Sequence, residues 1–172
     1  MRKGSVRSGL IRRGDYIYHG DKIITDHVGS ASFIMIYEDT SIRVYNNSVI
    51  RLVSDRYSML NHSELALFVG KVIIEADDNL DYSFIVNTPS TKATVSGTNF
   101  LAEYQEDLLF NGVDYSIFTV LEGIIELENL NSNLSMYLLN GETVVSTDSG
   151  KFLRLDTFRE PQGIVNSLLE FR

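Results

Sequence analysis

The 172-residue sequence predicts an all-β fold of short strands, built as a twisted solenoid-like or roll arrangement, with a jelly-roll β-sandwich as the alternative. Three observations predict it. Apolar residues recur with period two through nearly all of the chain before Pro161, the spacing of half-buried strands. Turn formers punctuate that pattern at short intervals: Gly-Asp at 14 and 20, Asn-Asn at 46, Asp-Asp-Asn at 77, Asn-Gly at 111 and 140. Nine Tyr and nine Phe suit a pleated surface, and an apolar fraction of 44% suffices for a core.

Taken in order, Ala31, Phe33, Met35 and Tyr37 share one face and Ile34 and Ile36 the other. The turn Glu38-Asp39-Thr40 then returns the chain through Ile42-Arg43-Val44, and Ile50-Arg51-Leu52 repeats the alternation. Further strands are expected at 65–69, 72–76, 83–87, 99–104, 116–121, 124–130, 134–139 and 143–146. The stretch "VNTPSTKATVSGTNF", 86–100, reads as a turn at Thr88-Pro89-Ser90 followed by a strand through Ala93 and Val95. Gly97 permits a bend that a Cβ would obstruct, the Thr98 hydroxyl satisfies a nearby backbone group, and Phe100 returns to the core. "FVGKVIIEA" at 68 and "LEGIIELEN" at 121 echo each other, each with a glycine between two strand-like runs. Helical spacing occurs only after Pro161, where Ile164, Val165, Leu168 and Leu169 fall on one face of a short helix that must dock to persist. The expected organisation is a basic N-terminal arm (1–13), an all-β domain (14–150) and a C-terminal extension, helical in part (151–172).

Charge bounds the partners. Arg2, Lys3, Arg7, Arg12 and Arg13 precede the first acid, so the remainder holds 10 basic against 23 acidic residues, a balance of −13. Such a body repels phosphate backbones, which argues against nucleic-acid binding. No run of about 20 apolar residues offers a membrane span, and the N-terminus lacks the apolar core of a signal peptide. With no cysteine, disulfide and thiolate chemistry are excluded. His19, His27 and His62 have no metal-ligand spacing, so no metal or cofactor is expected. Glu126 and Glu128 alternate with Ile125 and Leu127, which makes them the wet face of a strand rather than a paired-acid catalyst. "VSGT" lacks the frame of a phosphate loop. The chain is therefore expected not to be an enzyme.

The order of these pieces resembles the iron-dicitrate sensor (FecR-type) domain family over about residues 14–150. The resemblance rests on Gly14-Asp15, Gly20-Asp21, Ile23, Thr25, Ala31, Asp39, Ser41, Asn47 and Ser48. It continues through Gly70 and Val72, then through Phe84, Val86, Thr88, Pro89, Ala93, Val95, Gly97, Thr98 and Phe100. "VLEGIIEL" with Gly123 and "LLNGETVV" with Gly141 close it. Thr40 stands where the family usually has glycine, and Ser96 where it often has arginine. The resemblance implies an extracytoplasmic module in the periplasm or cell envelope that receives a signal from a protein partner, such as an outer-membrane transporter. The alternative is a glycan- or cell-wall-binding domain, in which Tyr16, Tyr18, Tyr45 and Tyr57 could stack on sugars. The acidic turn 105–114, with Leu108, Leu109 and Phe110, is the expected partner contact, the alternative being that this trio folds back onto the core.

Overall fold

The computed structural model describes residues 9–36, 39–53, 62–77, 83–106 and 112–155, and every regular element among them is a β-strand. The first eight residues of the basic arm lie outside the described residues. So do Tyr37, Tyr57, Leu108 to Phe110 and the helix expected after Pro161.

The strands are β1 (Lys22–Ile24), β2 (Ala31–Met35), β3 (Thr40–Val44), β4 (Val49–Leu52), β5 (His62–Ala76), β6 (Ser83–Asn87) and β7 (Thr91–Val95). They continue with β8 (Asn99–Gln105), β9 (Tyr115–Glu122), β10 (Ile124–Asn129), β11 (Ser135–Leu139), β12 (Thr143–Thr147) and β13 (Phe152–Leu155). They form one 13-stranded sheet folded into two layers that share β5. The first layer runs β1-β4-β5-β6-β7-β10-β11 and the second β2-β3-β5-β8-β9-β12-β13. Every pairing is antiparallel except β5 with β6, whose parallel register sets His62 against Ser83.

Two strands were expected around Gly70, and one 15-residue strand is found instead. Its first half pairs with β4 and β6, and from Gly70 onwards it pairs with β3 and β8 in the other layer. A glycine that looks like a breaker in sequence is here a crease within a continuous strand. Gly70 has φ +95, and a Cβ on it would lie 2.1 Å from the Ser48 Oγ and 2.5 Å from the Ser48 Cα. Only a bare backbone passes that close to the neighbouring strand connection.

The core lies between the layers. Ile50, Leu65, Leu67, Val86, Ala93, Val95, Ile125 and Leu127 face inwards from the first layer. Ile42, Val44, Val72, Ile74, Phe100, Ala102, Phe118 and Val144 meet them from the second. The alternation that predicted the strands is thus the alternation between core and exterior. The strand β13 was not expected from the sequence; it extends the second layer by pairing Phe152 with Ser146 and Leu155 with Thr143.

Candidate functional site

The apolar residues that carry the family resemblance, such as Ile23, Val86, Ala93 and Phe100, lie in strands and face the core, and its glycines, acids and hydroxyl residues lie mainly at the turns and creases of the fold. Asp15 accepts the Arg12 N–H on its carboxylate at 2.7 Å, and its own N–H donates to the Arg12 carbonyl at 3.1 Å. Asp21 repeats this on Tyr18, at 2.8 and 3.0 Å, and Glu142 repeats it on Leu139, at 2.8 and 3.0 Å. Each such turn has a glycine with positive φ just before the acid: Gly14, Gly20 and Gly141. The acid closes the turn by satisfying a backbone donor that water would otherwise have to serve.

Thr25 works further inside. Its hydroxyl donates to the Tyr45 carbonyl at 2.5 Å and accepts the Ser48 N–H at 2.9 Å. Ser48 in turn accepts the Lys71 N–H at 2.9 Å, beside Gly70. Thr98 holds the matching position in the other crease. Its hydroxyl lies within donating reach of the Ser96 carbonyl at 3.1 Å and the Ile124 carbonyl at 2.9 Å, beside Gly123. The echo between residues 68 and 121 therefore marks two equivalent crossings between layers, each pinned by a hydroxyl. Gly97 takes φ +59 at the second crossing. Gly97→Val should cost about 1–3 kcal/mol through backbone strain, and Thr98→Ala about 0.5–1.5 kcal/mol through one lost hydrogen bond. Denaturant midpoints check both values.

The turn before β7 opens a buried polar spine. Thr88 donates its N–H to the Thr91 carbonyl at 2.8 Å, and the Thr91 N–H donates to the Thr88 hydroxyl at 3.0 Å. The Thr88 hydroxyl also lies 2.7 Å from that of Ser116, across the layer gap. Thr91 donates to Ser146 at 2.7 Å, and the Asn129 amide donates to Ser146 and to the Thr147 carbonyl, both at 2.9 Å. The hydroxyls of Thr88 and Thr91 are thus spent on joining the two layers. Sequence reasoning missed Ser116, Asn129 and Ser146. The available signal was a polar residue at the inward parity of otherwise apolar strands.

Other candidates are dispersed. His19 and His27 are exposed on turns. Glu126 is exposed on the outer face of β10, and Glu128 pairs with Lys92 at 3.9 Å. Among the described residues, no three His, Asp or Glu side chains are placed to hold a metal ion. Tyr16 and Tyr18 are exposed with ring centroids 6.5 Å apart but tilted by 39°, so they do not form a flat stacking platform. Tyr45 instead borders an open groove of about 450 Å³ beside Gly70, where the Lys71 ammonium lies 5.9 Å from its ring and 3.2 Å from the Glu103 carboxylate.

Tyr104, at the same groove, is buried and donates to Asp114 at 3.2 Å. Burial first, and the Asp114 charge second, push its phenol up from 10.0 to about 12. The neutral phenol is the form the fold favours. Its contribution is complete below pH 10 and is lost as pH rises towards 12. A tyrosinate absorbance titration should contain a step near pH 12 that Tyr104→Phe removes.

The exterior of the first layer is open at β10 and β11. Ile124 is 54% exposed, Tyr137 61% and Leu139 49%, with Ile124 opposite Leu139 and Glu126 opposite Tyr137. The edge beside them is closed at two points. Glu142 covers the Leu139 N–H, and Arg154, paired with Glu142, donates to the Tyr137 carbonyl at 3.0 Å. The Leu139 N–H, helped by Arg154, holds the Glu142 carboxyl below its ordinary range. What remains available is the face: an apolar patch with an acidic neighbour.

The sequence profile of the family described as FecR protein matches residues 21–126. Two crystal structures of a protein from Parabacteroides distasonis ATCC 8503, designated by inference an anti-sigma factor, share the fold. The first superposes with a TM-score of 0.66 at 19% identity, covering 86% of this chain and 64% of that one. The second gives 0.65 at 19% identity, covering 80% and 60%. The chain thus spans less than two thirds of the length of those structures. Comparison with curated proteins gives no match.

Proposed function

The chain belongs to the FecR protein family, and from that premise we propose that it is a non-enzymatic, signal-receiving protein-interaction module of the bacterial cell envelope. The observation that carries this reading is how the signature residues are used. Thr25, Ser48, Thr88 and Thr98 are all engaged in closing turns and creases, so recognition falls to the exterior. The contact surface is the open face around Ile124, Tyr137 and Leu139. Apolar side chains beside Glu126, on a body of charge −13, fit a protein segment that combines apolar and basic residues. Such binding should weaken as salt rises, because exposed charge pairs are screened. The turn 105–114, with Leu108, Leu109 and Phe110, which lies largely outside the described residues, is proposed as a separate contact. The partner is an envelope component such as a transporter, met in the periplasm.

The test is a photo-crosslinking amino acid placed at Tyr137 in cells. A discrete adduct with one envelope protein is expected, lost on Leu139→Ser without a change in melting temperature, while the same probe at the half-buried Phe33 stays silent. Purified protein that turns over glycans, esters or phosphates, and loses that activity on one carboxylate substitution, would contradict the reading.

A further inference from the structure

Two lysines of the sheet stand directly opposite acids. Lys71 faces Glu103 and Lys92 faces Glu128, and the charges meet at 3.2 and 3.9 Å. Lys22 of β1 instead stands opposite Arg51 of β4, and both point outwards, since Ile23 and Ile50 beside them are buried. Among the described residues neither cation has a carboxylate partner. Like charges directly opposed in a ladder cost stability, and they persist here in a chain with 23 acidic residues.

A bulge places an aromatic ring between them. Val49 pairs with Val69 and Ile50 with Leu67, so Phe68 is the extra residue of β5, and it is 41% exposed. Bulges often re-aim a side chain where a site needs it. The Arg51 guanidinium lies 5.7 Å from the Phe68 ring centroid and the Lys22 ammonium 6.0 Å. Ile24, 66% exposed, lies on the same outer face, two residues beyond Lys22.

We propose that Lys22, Ile24, Arg51 and Phe68 form a second interaction surface, which takes an acidic protein segment carrying a large apolar residue. The unpaired cations receive its carboxylates, the Arg51 guanidinium being able to hold one through two hydrogen bonds. Phe68 and Ile24 supply the apolar contact. This surface has the opposite charge preference to the face around Tyr137 and lies at the other end of the first layer. An anionic lipid surface fits less well, because two cations attract it weakly while a net charge of −8 repels the chain from it. A neutral glycan would use the ring and leave both cations without a partner.

Amide chemical shifts of the isotope-labelled full chain, titrated with the blocked peptide Ser-Glu-Glu-Leu-Glu-Glu-Ser, test this. Changes are expected at Lys22, Ile24, Arg51 and Phe68, and should weaken as salt rises. Lys22→Glu should lower the affinity by about 10-fold or more. The same variant should raise the urea midpoint, because it gives Arg51 the facing acid that Lys71 and Lys92 already have. Lys151→Glu makes the same change of charge between β12 and β13 and should leave the affinity within about twofold. Silence at the four amides, an equal loss on Lys151→Glu, or a midpoint that falls on Lys22→Glu overturns the proposal. So does a response of these amides to phosphatidylglycerol vesicles or to chitin oligosaccharides but not to the peptide, which would make the occupant a lipid or a glycan. Self-association of the chain that Lys22→Glu abolishes would make it a second copy, and also overturns the proposal.

Discussion

Gly70→Ala is expected to destabilise the domain by about 2–5 kcal/mol, the sum of overpacking and left-handed backbone strain. The added Cβ would lie 2.5 Å from the Ser48 Cα, a backbone atom that cannot rotate away. Ser48 is itself fixed, since its N–H donates to Thr25 and its hydroxyl accepts from Lys71. Displacing it disturbs the connection from β3 to β4 and the crease of β5 together. Gly14→Ala is the control: φ is +93 there, nearly the same, but nothing lies within 4 Å of the added Cβ. Strain alone should cost about 1 kcal/mol at that position. Urea midpoints measured for both variants separate conformation from crowding. Equal losses would mean that close packing at Gly70 contributes nothing.

Asn129→Leu should cost roughly 3–5 kcal/mol, because it preserves volume while leaving several buried groups without partners. The Asn129 amide donates to Ser146 and to the Thr147 carbonyl. Its oxygen accepts the N–H groups of Asn131, at 3.0 Å, and Ser132, at 3.2 Å. One fully buried side chain therefore ends β10, shapes the turn that follows and binds the first layer to β12 in the second. Thermal melting checks the magnitude; a cost under about 1 kcal/mol would mean that the spine rearranges to satisfy itself.

What the sequence revealed, and what it did not, follows from the range of the interactions. The alternation in 42–44 and 124–129 is local, and it identified both the strands and their inward faces. The bend at Gly97 and the role of Thr98 were legible because a glycine followed by a hydroxyl has few structural uses. The continuity of β5 was not legible, since a glycine between two apolar runs looks the same whether the chain reverses or changes layer. The three-residue β1 shows no alternation, since Ile23 and Ile24 are adjacent, and β13 was passed over although Leu153-Arg154-Leu155 alternates as Ile50-Arg51-Leu52 does. The polar spine was hidden for a different reason. Thr91 and Ser146 stand 55 residues apart, and only the folding of one layer over the other brings them together. For the exterior, sequence alone cannot separate an exposed apolar residue in a strand, such as Tyr137, from a core one.

The central claim is that the signature residues build the fold while recognition lies on the exterior. Calorimetric titration of the crosslinked partner, once purified, against wild type, Gly97→Val and Tyr137→Ser tests it most directly, at a temperature where all three are folded. The account predicts that Gly97→Val lowers the denaturant midpoint yet binds as wild type does, whereas Tyr137→Ser keeps its midpoint and loses affinity. Loss of binding in Gly97→Val with an unmoved midpoint, alongside full binding by Tyr137→Ser, would place the contact at the "VSGT" crease and contradict it.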